Sequence, residues 1–236
     1  MARILMIVSA ADSLTLADGT AHPTGFWAEE LAASHQLMRE AGADVDIATP
    51  GGAAPTVDPI SLDERGGVEE ADAALFRAYL DGIARDLAAP LALDAVSVDD
   101  YDAVFIPGGH GPMADLAHDA DLAGLLIEAE ARGKLVAALC HGPAALLSAT
   151  RADGGFVFAG RSMTSFTDEE EKQGGLGDAS PYLVETRLRE LGAVIDAGPA
   201  WQSKVVVDGN LITGQNPQSS VDTARRVLAE LEARTA

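Results

Sequence analysis

The 236-residue chain has one cysteine, few aromatic residues and less than half as many basic as acidic side chains. A single cysteine cannot form an intramolecular disulfide or a zinc site built from several thiolates, so Cys140 is either a packed core residue or a reactive thiol. Aromatic residues make up 5 % of the chain, which predicts a core built mainly from Ala, Val, Leu and Ile. The net charge of −21 repels phosphates and anionic lipid surfaces. We therefore expect neither a nucleic acid nor a membrane as a partner.

Long hydrophobic runs are also missing. The apolar run at residues 4–8 is too short to cross a bilayer, and no basic leader is followed by a small-residue cleavage site. These features predict a cytoplasmic protein.

Short apolar runs alternate with helical patterns along the chain. The runs predict buried strands at residues 4–8, 45–49, 103–106 and 135–139. Between them, the apolar spacing at residues 26–41 and 122–131 is typical of helices. This alternation predicts a doubly wound α/β fold, in which helices cover both faces of a mostly parallel sheet. The length is compatible with one domain, residues 1–236.

Two segments depart from this alternation. Residues 51–100 are interrupted by Gly-Gly and Pro, contain one helical pattern at 69–87, and are predicted to form an insertion that could act as a lid. Residues 204–213 predict a β-hairpin around Asp208-Gly209-Asn210, followed by a last helix at 219–233.

Cys140 lies directly after the predicted strand at 135–139 and before His141, Gly142 and Pro143. A sharp strand-to-helix turn here would project the thiol at the carboxyl end of the sheet, where doubly wound folds bind ligands. The start of the next helix favours a thiolate, so we expect a lowered thiol pKa. A free cysteine is more often a packing residue, but the adjoining His141 favours a nucleophile.

The glycine-rich sequence IPGGHG at residues 106–111 follows another predicted strand and should lie at the same sheet edge. The backbone N–H of Gly109 could form an oxyanion hole together with that of His141. Gly108 and His110 are further candidates for substrate binding. An ordinary tight turn would explain this sequence equally well.

Acidic residues supply the remaining candidate catalytic residues. Glu30 lies on the apolar arc of the predicted helix at 26–41, where burial would raise its pKa into the range of a general acid or base. A salt bridge at the edge of the arc is the alternative. In the run 168–171, Thr167 and Glu170 fit a helix capping box. One acid of this run could orient the imidazole of His141, but the residues alone do not select it.

Together, Glu30 and the sequences GGHG, CHGPA and TSFTDEEE resemble the ThiJ/PfpI superfamily of class I glutamine-amidotransferase-like proteins, and within it the glyoxalase III branch, which includes chaperone-like deglycases. The resemblance extends over nearly the whole chain and implies a flavodoxin-like fold and a homodimer. It implies that Cys140 is the nucleophile, His141 its histidine partner and Glu30 the helix-borne acid. The third member of the triad is then Glu171, with Asp168 as the alternative.

The resemblance also implies an activity. A glyoxalase III-like lyase of the D-lactate dehydratase type would convert methylglyoxal, or a related 2-oxoaldehyde, into lactate through a hemithioacetal on Cys140. It would need neither a metal nor another cofactor, and it could also act on glycated proteins. Two other functional hypotheses stay open. One is a cysteine amidase or peptidase, and the other is a stress-response protein that binds unfolded chains or senses oxidation at Cys140. Glu30 favours the lyase, because aldehyde isomerisation needs an additional proton carrier.

Overall fold

The computed structural model describes residues 1–235, apart from the side chain of the last. The β-strands are β1 (Arg3–Ile7), β2 (Ser13–Thr15), β3 (Ala21–Pro23), β4 (Asp44–Thr49), β5 (Leu91–Ala92), β6 (Ala103–Ile106), β7 (Leu135–Leu139), β8 (Ser162–Met163), β9 (Val194–Ile195), β10 (Val205–Asp208) and β11 (Leu211–Gly214). The α-helices are α1 (Ala28–Glu40), α2 (Glu70–Gly82), α3 (Ala84–Ala88), α4 (Gly111–Ala114), α5 (Ala120–Ala131), α6 (Asp168–Gln173), α7 (Val184–Glu190) and α8 (Ser220–Thr235).

The central sheet has the strand order β10-β11-β7-β6-β1-β4-β5. Its neighbouring strands are parallel except for the β10–β11 hairpin at one edge. The middle strands β6 and β7 are buried along their whole length, which explains their uninterrupted apolar sequence, because helices cover both faces. The doubly wound fold and the C-terminal hairpin are therefore confirmed.

Successive residues of β6 belong to different cores. Ala103 and Phe105 pack on the side of α1 and α8, whereas Val104 and Ile106 pack on the side of α5 and α7. This alternation follows from the two-residue period of a strand. The sheet thus separates two hydrophobic cores, and its carboxyl edge carries the loops that follow each strand.

The segment predicted as an insertion is part of the sheet as well as a cover for the site. Its strand β5 pairs in parallel with β4 and extends the sheet at its edge. The single helix predicted at 69–87 is two helices, α2 and α3, separated at Ile83, where the backbone leaves helical geometry. Before α2, short 3-10 turns at Pro59–Leu62 and Glu64–Gly66 lie over the carboxyl edge.

None of the helices within residues 1–235 combines the length and the hydrophobicity that crossing a bilayer requires.

Candidate active site

Cys140 occupies a strained turn at the carboxyl end of β7. Its φ of 58° lies in the left-handed region that residues other than glycine rarely adopt. The turn is fixed by a hydrogen bond from the Cys140 N–H to the carbonyl of Gly214, 3.0 Å. Gly142 must be a glycine, because a Cβ there would collide with the carbonyl oxygen of Ile106. The helix that follows, Gly142–Ser148, is a 3-10 helix.

Cys140, His141 and Glu171 form a connected triad. The Cys140 sulfur lies 3.3 Å from Nδ1 of His141, and Nε2 of His141 lies 2.6 Å from Oε2 of Glu171. The alternative acid Asp168 does not contact the imidazole, because its carboxylate accepts a hydrogen bond from the Thr186 hydroxyl at 2.5 Å. The capping box of Thr167 and Glu170 is present at the start of α6 and fixes the helix that carries Glu171.

His110 shares the Glu171 carboxylate with His141. Its Nε2 lies 2.9 Å from Oε1 of Glu171, and its ring centroid is 4.0 Å from that of His141. Burial raises the pKa of Glu171, but the charge of His141 and hydrogen bonds from both imidazoles outweigh burial and lower it below its usual range. Burial, aided by His110, lowers the pKa of His141. The neutral imidazole that results donates from Nε2 to Glu171 and leaves Nδ1 free to accept the thiol proton.

Glu30 projects from the first turn of α1 towards Cys140 and is fully buried. Its Oε2 accepts a hydrogen bond from the backbone N–H of Gly108 at 2.6 Å. Its Oε1 makes no well-aligned hydrogen bond with the described residues. The Cys140 thiol is the side chain that interacts with the carboxyl group and lowers its pKa. Burial raises the pKa of Glu30 to about 8, although the thiol and the Gly108 N–H oppose the rise. Glu30 makes no salt bridge within residues 1–235, so the salt-bridge interpretation is wrong.

The expected lowering of the thiol pKa is also wrong. Burial raises the pKa of Cys140 well above its ordinary value, and the charge and hydrogen bond of Glu30 raise it further. The backbone N–H groups of Gly109 and His141 act in the opposite direction and lower the pKa of the thiol. These are the two amides expected to form an oxyanion hole, and both lie at the nucleophile.

The first two glycines of GGHG allow three loops to meet at this point. A Cβ on Gly108 would lie 2.7 Å from the backbone nitrogen of His141, and one on Gly109 would collide with the carbonyl of Gly25. Gly109 also has a φ of 86°. The sequence GGHG is therefore more than an ordinary turn, because Gly108 supplies the amide that holds Glu30 and His110 contacts Glu171.

A sequence model of the DJ-1/PfpI family matches residues 22–230. The chain belongs to the DJ-1/PfpI family. It is 29 % identical over 238 residues to the glutathione-independent glyoxalase HSP31 of Saccharomyces cerevisiae, covering 98 % of both chains. It is 30 % identical over 230 residues to the protein/nucleic acid deglycase HchA of Pseudomonas aeruginosa, covering 92 % of this chain and 77 % of HchA.

The crystal structure of glyoxalase III from Candida albicans superposes with a TM-score of 0.81 at 25 % identity, covering 97 % of this chain and 96 % of that one. The resemblance stated from the sequence, including the glyoxalase III branch of this DJ-1/PfpI superfamily, is confirmed by these matches.

In this DJ-1/PfpI protein the triad opens into a cavity of about 470 Å³. Cys140, His141, His110 and Glu171 line its floor. Several other lining residues belong to no sequence motif and were not expected: His22, Trp27, Asp58, Ile60, Glu64, Arg65, Leu176 and Trp201. The turns at 59–67 contribute three of them, Ile60, Glu64 and Arg65, so the inserted segment lines part of the cavity.

Within the part of the chain that the structure describes, one group of side chains has the spacing of metal ligands. The donor atoms of His110, His141 and Glu171 lie within 4.8 Å of one another, and two histidines with a carboxylate are a known zinc-binding set. The two direct hydrogen bonds from the imidazoles to Glu171 account for this arrangement as part of the triad.

Proposed function

We propose that the protein is a glyoxalase III-like enzyme that converts methylglyoxal, or a related 2-oxoaldehyde, into the corresponding 2-hydroxy acid through a covalent adduct on Cys140. The observation that carries this proposal is Glu30, a fully buried carboxyl with a pKa of about 8 beside the thiol. A triad that only hydrolyses an acyl bond has no use for it, whereas an isomerase needs a group that both removes and returns a proton. The glyoxalase names of HSP31 and of the Candida albicans protein support the same activity.

In the first step, the thiol adds to the aldehyde carbon. His141 Nδ1, 3.3 Å from the sulfur, accepts the thiol proton as the C–S bond forms. The aldehyde oxygen takes up the electron pair of its double bond and then the proton, which gives a hemithioacetal. Because the pKa of Cys140 is raised, the thiolate exists mainly while His141 holds its proton.

In the second step, the ionised form of Glu30 removes the proton from the former aldehyde carbon. The electron pair moves into a double bond between the two oxygen-bearing carbons, and the ketone oxygen takes a proton from the solvent, which gives an enediol. Protonated Glu30 then delivers its proton to the second carbon, while the hydroxyl of the first carbon releases its proton to the solvent and becomes the carbonyl of a thioester. A pKa of about 8 keeps both forms of Glu30 accessible near neutral pH.

In the third step, water hydrolyses the thioester. His141 removes a proton from the attacking water, the amides of Gly109 and His141 stabilise the oxyanion, and the sulfur leaves and is reprotonated. The product is the 2-hydroxy acid. Glu171 stays ionised throughout and stabilises the imidazolium form of His141 at 2.6 Å.

The experiment is an assay of lactate formation from methylglyoxal by the wild type, Cys140→Ala and Glu30→Gln. We expect no detectable lactate from Cys140→Ala and a rate lowered by about 10²-fold or more in Glu30→Gln, in keeping with the usual contribution of a general acid–base group. Glu29→Gln, one position earlier on α1, is the matched control and should stay within a few-fold of the wild type. Full activity in both active-site variants would refute the proposal.

The same addition chemistry suits early glycation adducts of amines, and the name of HchA supports deglycation as a second activity. Release of free amine from a methylglyoxal-treated peptide would test it. A homodimer, a cytoplasmic location and the binding of unfolded or glycated proteins stay predictions from the resemblance.

A further inference from the structure

His110 places a second imidazole on the carboxylate of the triad. Its Nε2 lies 2.9 Å from Oε1 of Glu171, while Nε2 of His141 lies 2.6 Å from Oε2 of the same side chain. A triad for acyl transfer needs a single imidazole between its nucleophile and its acid. The three steps proposed above also give His110 no part, so its contact with Glu171 is not explained by the triad.

The loop that carries His110 is fixed on both sides of this residue. A Cβ on Gly109 would lie 2.3 Å from the carbonyl oxygen of Gly25, and one on Gly111 would lie 2.4 Å from the hydroxyl oxygen of Ser9. Both glycines therefore pack directly against neighbouring loops. These close contacts hold the backbone from which the imidazole of His110 projects.

The imidazole of His110 keeps one nitrogen available to a ligand. In the neutral ring, Nε2 carries the proton that is donated to Glu171, which leaves a lone pair on Nδ1. Nδ1 makes no hydrogen bond within residues 1–235. The side chain lines the cavity and is 12 % exposed. Nδ1 can therefore accept a proton from a bound molecule and return it.

The loop of His110 also extends to the nucleophile. The backbone N–H of Gly109, one residue before His110, lowers the pKa of the Cys140 thiol. The ring centroids of His110 and His141 are 4.0 Å apart, and Nδ1 of His141 is 3.3 Å from the sulfur. An oxygen on the carbon bonded to the sulfur, held by the Gly109 amide, would therefore lie beside the side chain of His110.

The second step of the proposed reaction moves two protons. In the hemithioacetal, the first carbon carries both a hydrogen and a hydroxyl group, whereas in the thioester the second carbon carries both. Glu30 transfers the carbon-bound proton. The proton on oxygen has no protein carrier in the steps above, where it is exchanged with the solvent. An imidazole suits this transfer, because it accepts and donates protons near neutral pH.

We propose that His110 is the acid–base group that moves a proton from the oxygen of the first carbon to the oxygen of the second. This inference rests on the proposed function. Once Glu30 has removed the carbon-bound proton, Nδ1 accepts the hydroxyl proton of the first carbon, and Glu171 stabilises the imidazolium. Nδ1 then donates this proton to the oxygen of the second carbon. The electron pair left on the first oxygen forms the thioester carbonyl as Glu30 protonates the second carbon, and His110 is neutral again.

The kinetic test measures lactate formation from methylglyoxal by the wild type, His110→Gln and His118→Gln. In His110→Gln the amide N–H can still donate to Glu171, but the side chain cannot accept and return a proton. We expect kcat to fall by about 10²-fold, the usual contribution of one acid–base group, with KM changed by less than about threefold. His118→Gln, which replaces an exposed histidine outside the cavity lining, is the control and should leave both constants unchanged. An unchanged kcat in His110→Gln, or a loss confined to KM, would overturn the proposal.

Alkylation of Cys140 by iodoacetamide separates proton transfer from mere positioning of Glu171. The alkylation needs His141 to remove the thiol proton but involves no transfer between substrate oxygens. We expect His110→Gln to be alkylated at the wild-type rate and Glu171→Gln to react several-fold more slowly. If alkylation and kcat fell equally in His110→Gln, His110 would only position Glu171 and the inference would be wrong.

The same lactate assay separates this inference from the proposed function. A wild type that forms no lactate from methylglyoxal refutes the proposed function, and the role of His110 falls with it. Lactate formed at similar rates by the wild type and His110→Gln refutes the role of His110 alone and leaves the proposed function standing.

Discussion

The Cys140 thiol is activated by its neighbours within the triad and not by the helix that follows it. Burial and Glu30 both oppose ionisation of the sulfur, and the short 3-10 helix after the turn supplies only the N–H groups nearest to it. The neutral His141 is therefore the group that must remove the thiol proton. Since Glu171 is the residue that orients this imidazole, the triad acid should be indispensable, although it never touches the substrate.

Replacing Glu171 with Gln tests this assignment. The amide keeps the shape of the side chain but removes the charge that stabilises the imidazolium of His141, so we expect kcat/KM to fall by roughly 10³-fold or more, as in other triads whose acid becomes an amide. Asp168→Asn is the matched control, because Asp168 bonds Thr186 instead, and should retain activity within about twofold. Steady-state kinetics of the two variants decides between the acids. Comparable losses in both would show that the imidazole is not oriented by Glu171 alone.

At the scale of secondary-structure elements, the local sequence predicts the strands and turns whose surroundings are the same along their whole length. The apolar runs at 103–106 and 135–139 coincide with β6 and β7 because both faces of these strands are buried, and the hairpin of β10 and β11 follows from its Asp-Gly-containing turn. Strand β5 was not expected, because its two residues are too few to show the hydrophobic alternation of a strand. Its pairing with β4 also joins residues far apart in the chain.

The candidate active site likewise contains residues that a local sequence signal reveals and residues that only the fold brings together. Cys140, His141 and Glu30 could be found because each has a local signal: a strand-to-helix turn, an adjoining residue, or a carboxylate on an apolar arc. The contact between His110 and Glu171 joins residues 61 positions apart, and Trp201 reaches the cavity through a turn without a motif. The direction of the thiol pKa was wrongly predicted because it depends on how deeply the turn is buried, which the turn sequence does not encode.

The short turn at Glu64–Gly66 offers a test of how the inserted segment shapes the site. A Cβ on Gly66 would collide with the carbonyl of Ile60 and lie 2.9 Å from the Trp27 ring, so Gly66→Ala must displace the turn, the indole or both. Because these groups line the cavity, we expect KM for methylglyoxal to rise by roughly threefold or more, with kcat much less affected. Gly82→Ala at the end of α2 meets no atom within 4 Å and should leave KM unchanged while keeping or slightly raising stability. An unchanged KM in Gly66→Ala would mean that the turn does not control access.

At the scale of the whole molecule, the dominant property is the excess of acidic groups, with a net charge of −21. Like charges destabilise the compact state and raise the pKa of those carboxyls that cannot reach water. Glu29 shows the effect outside the triad. Burial, and secondarily the nearby charge of Asp72 on α2, raise its pKa to about 7.

This shift makes stability depend on pH in a definite direction. The folded protein holds the Glu29 proton up to about pH 7, whereas the unfolded chain releases it near the ordinary pKa of 4.5. The contribution of this proton to the free energy of unfolding is therefore complete below pH 4.5 and is lost as the pH rises through 7. One pKa unit corresponds to about 1.4 kcal/mol. Above pH 8, ionised Glu29 therefore destabilises the fold by up to about 3 kcal/mol, and Glu29→Gln should unfold at a higher denaturant concentration than the wild type.

Urea unfolding of the wild type and Glu29→Gln at pH 5 and pH 8 measures this difference. We expect the stabilisation by Glu29→Gln to be about 2 kcal/mol larger at pH 8 than at pH 5, since the ionised side chain is present in the folded wild type only at the higher pH. Glu40→Gln, an exposed substitution at the other end of α1, is the control and should give the same small effect at both values. Ionised Glu29 also contributes to the raised pKa of Glu30, so Glu29→Gln makes Glu30 easier to ionise at pH 8 and changes the difference in the same direction. A stabilisation by Glu29→Gln that is independent of pH would mean that Glu29 is already ionised in the folded protein at pH 5.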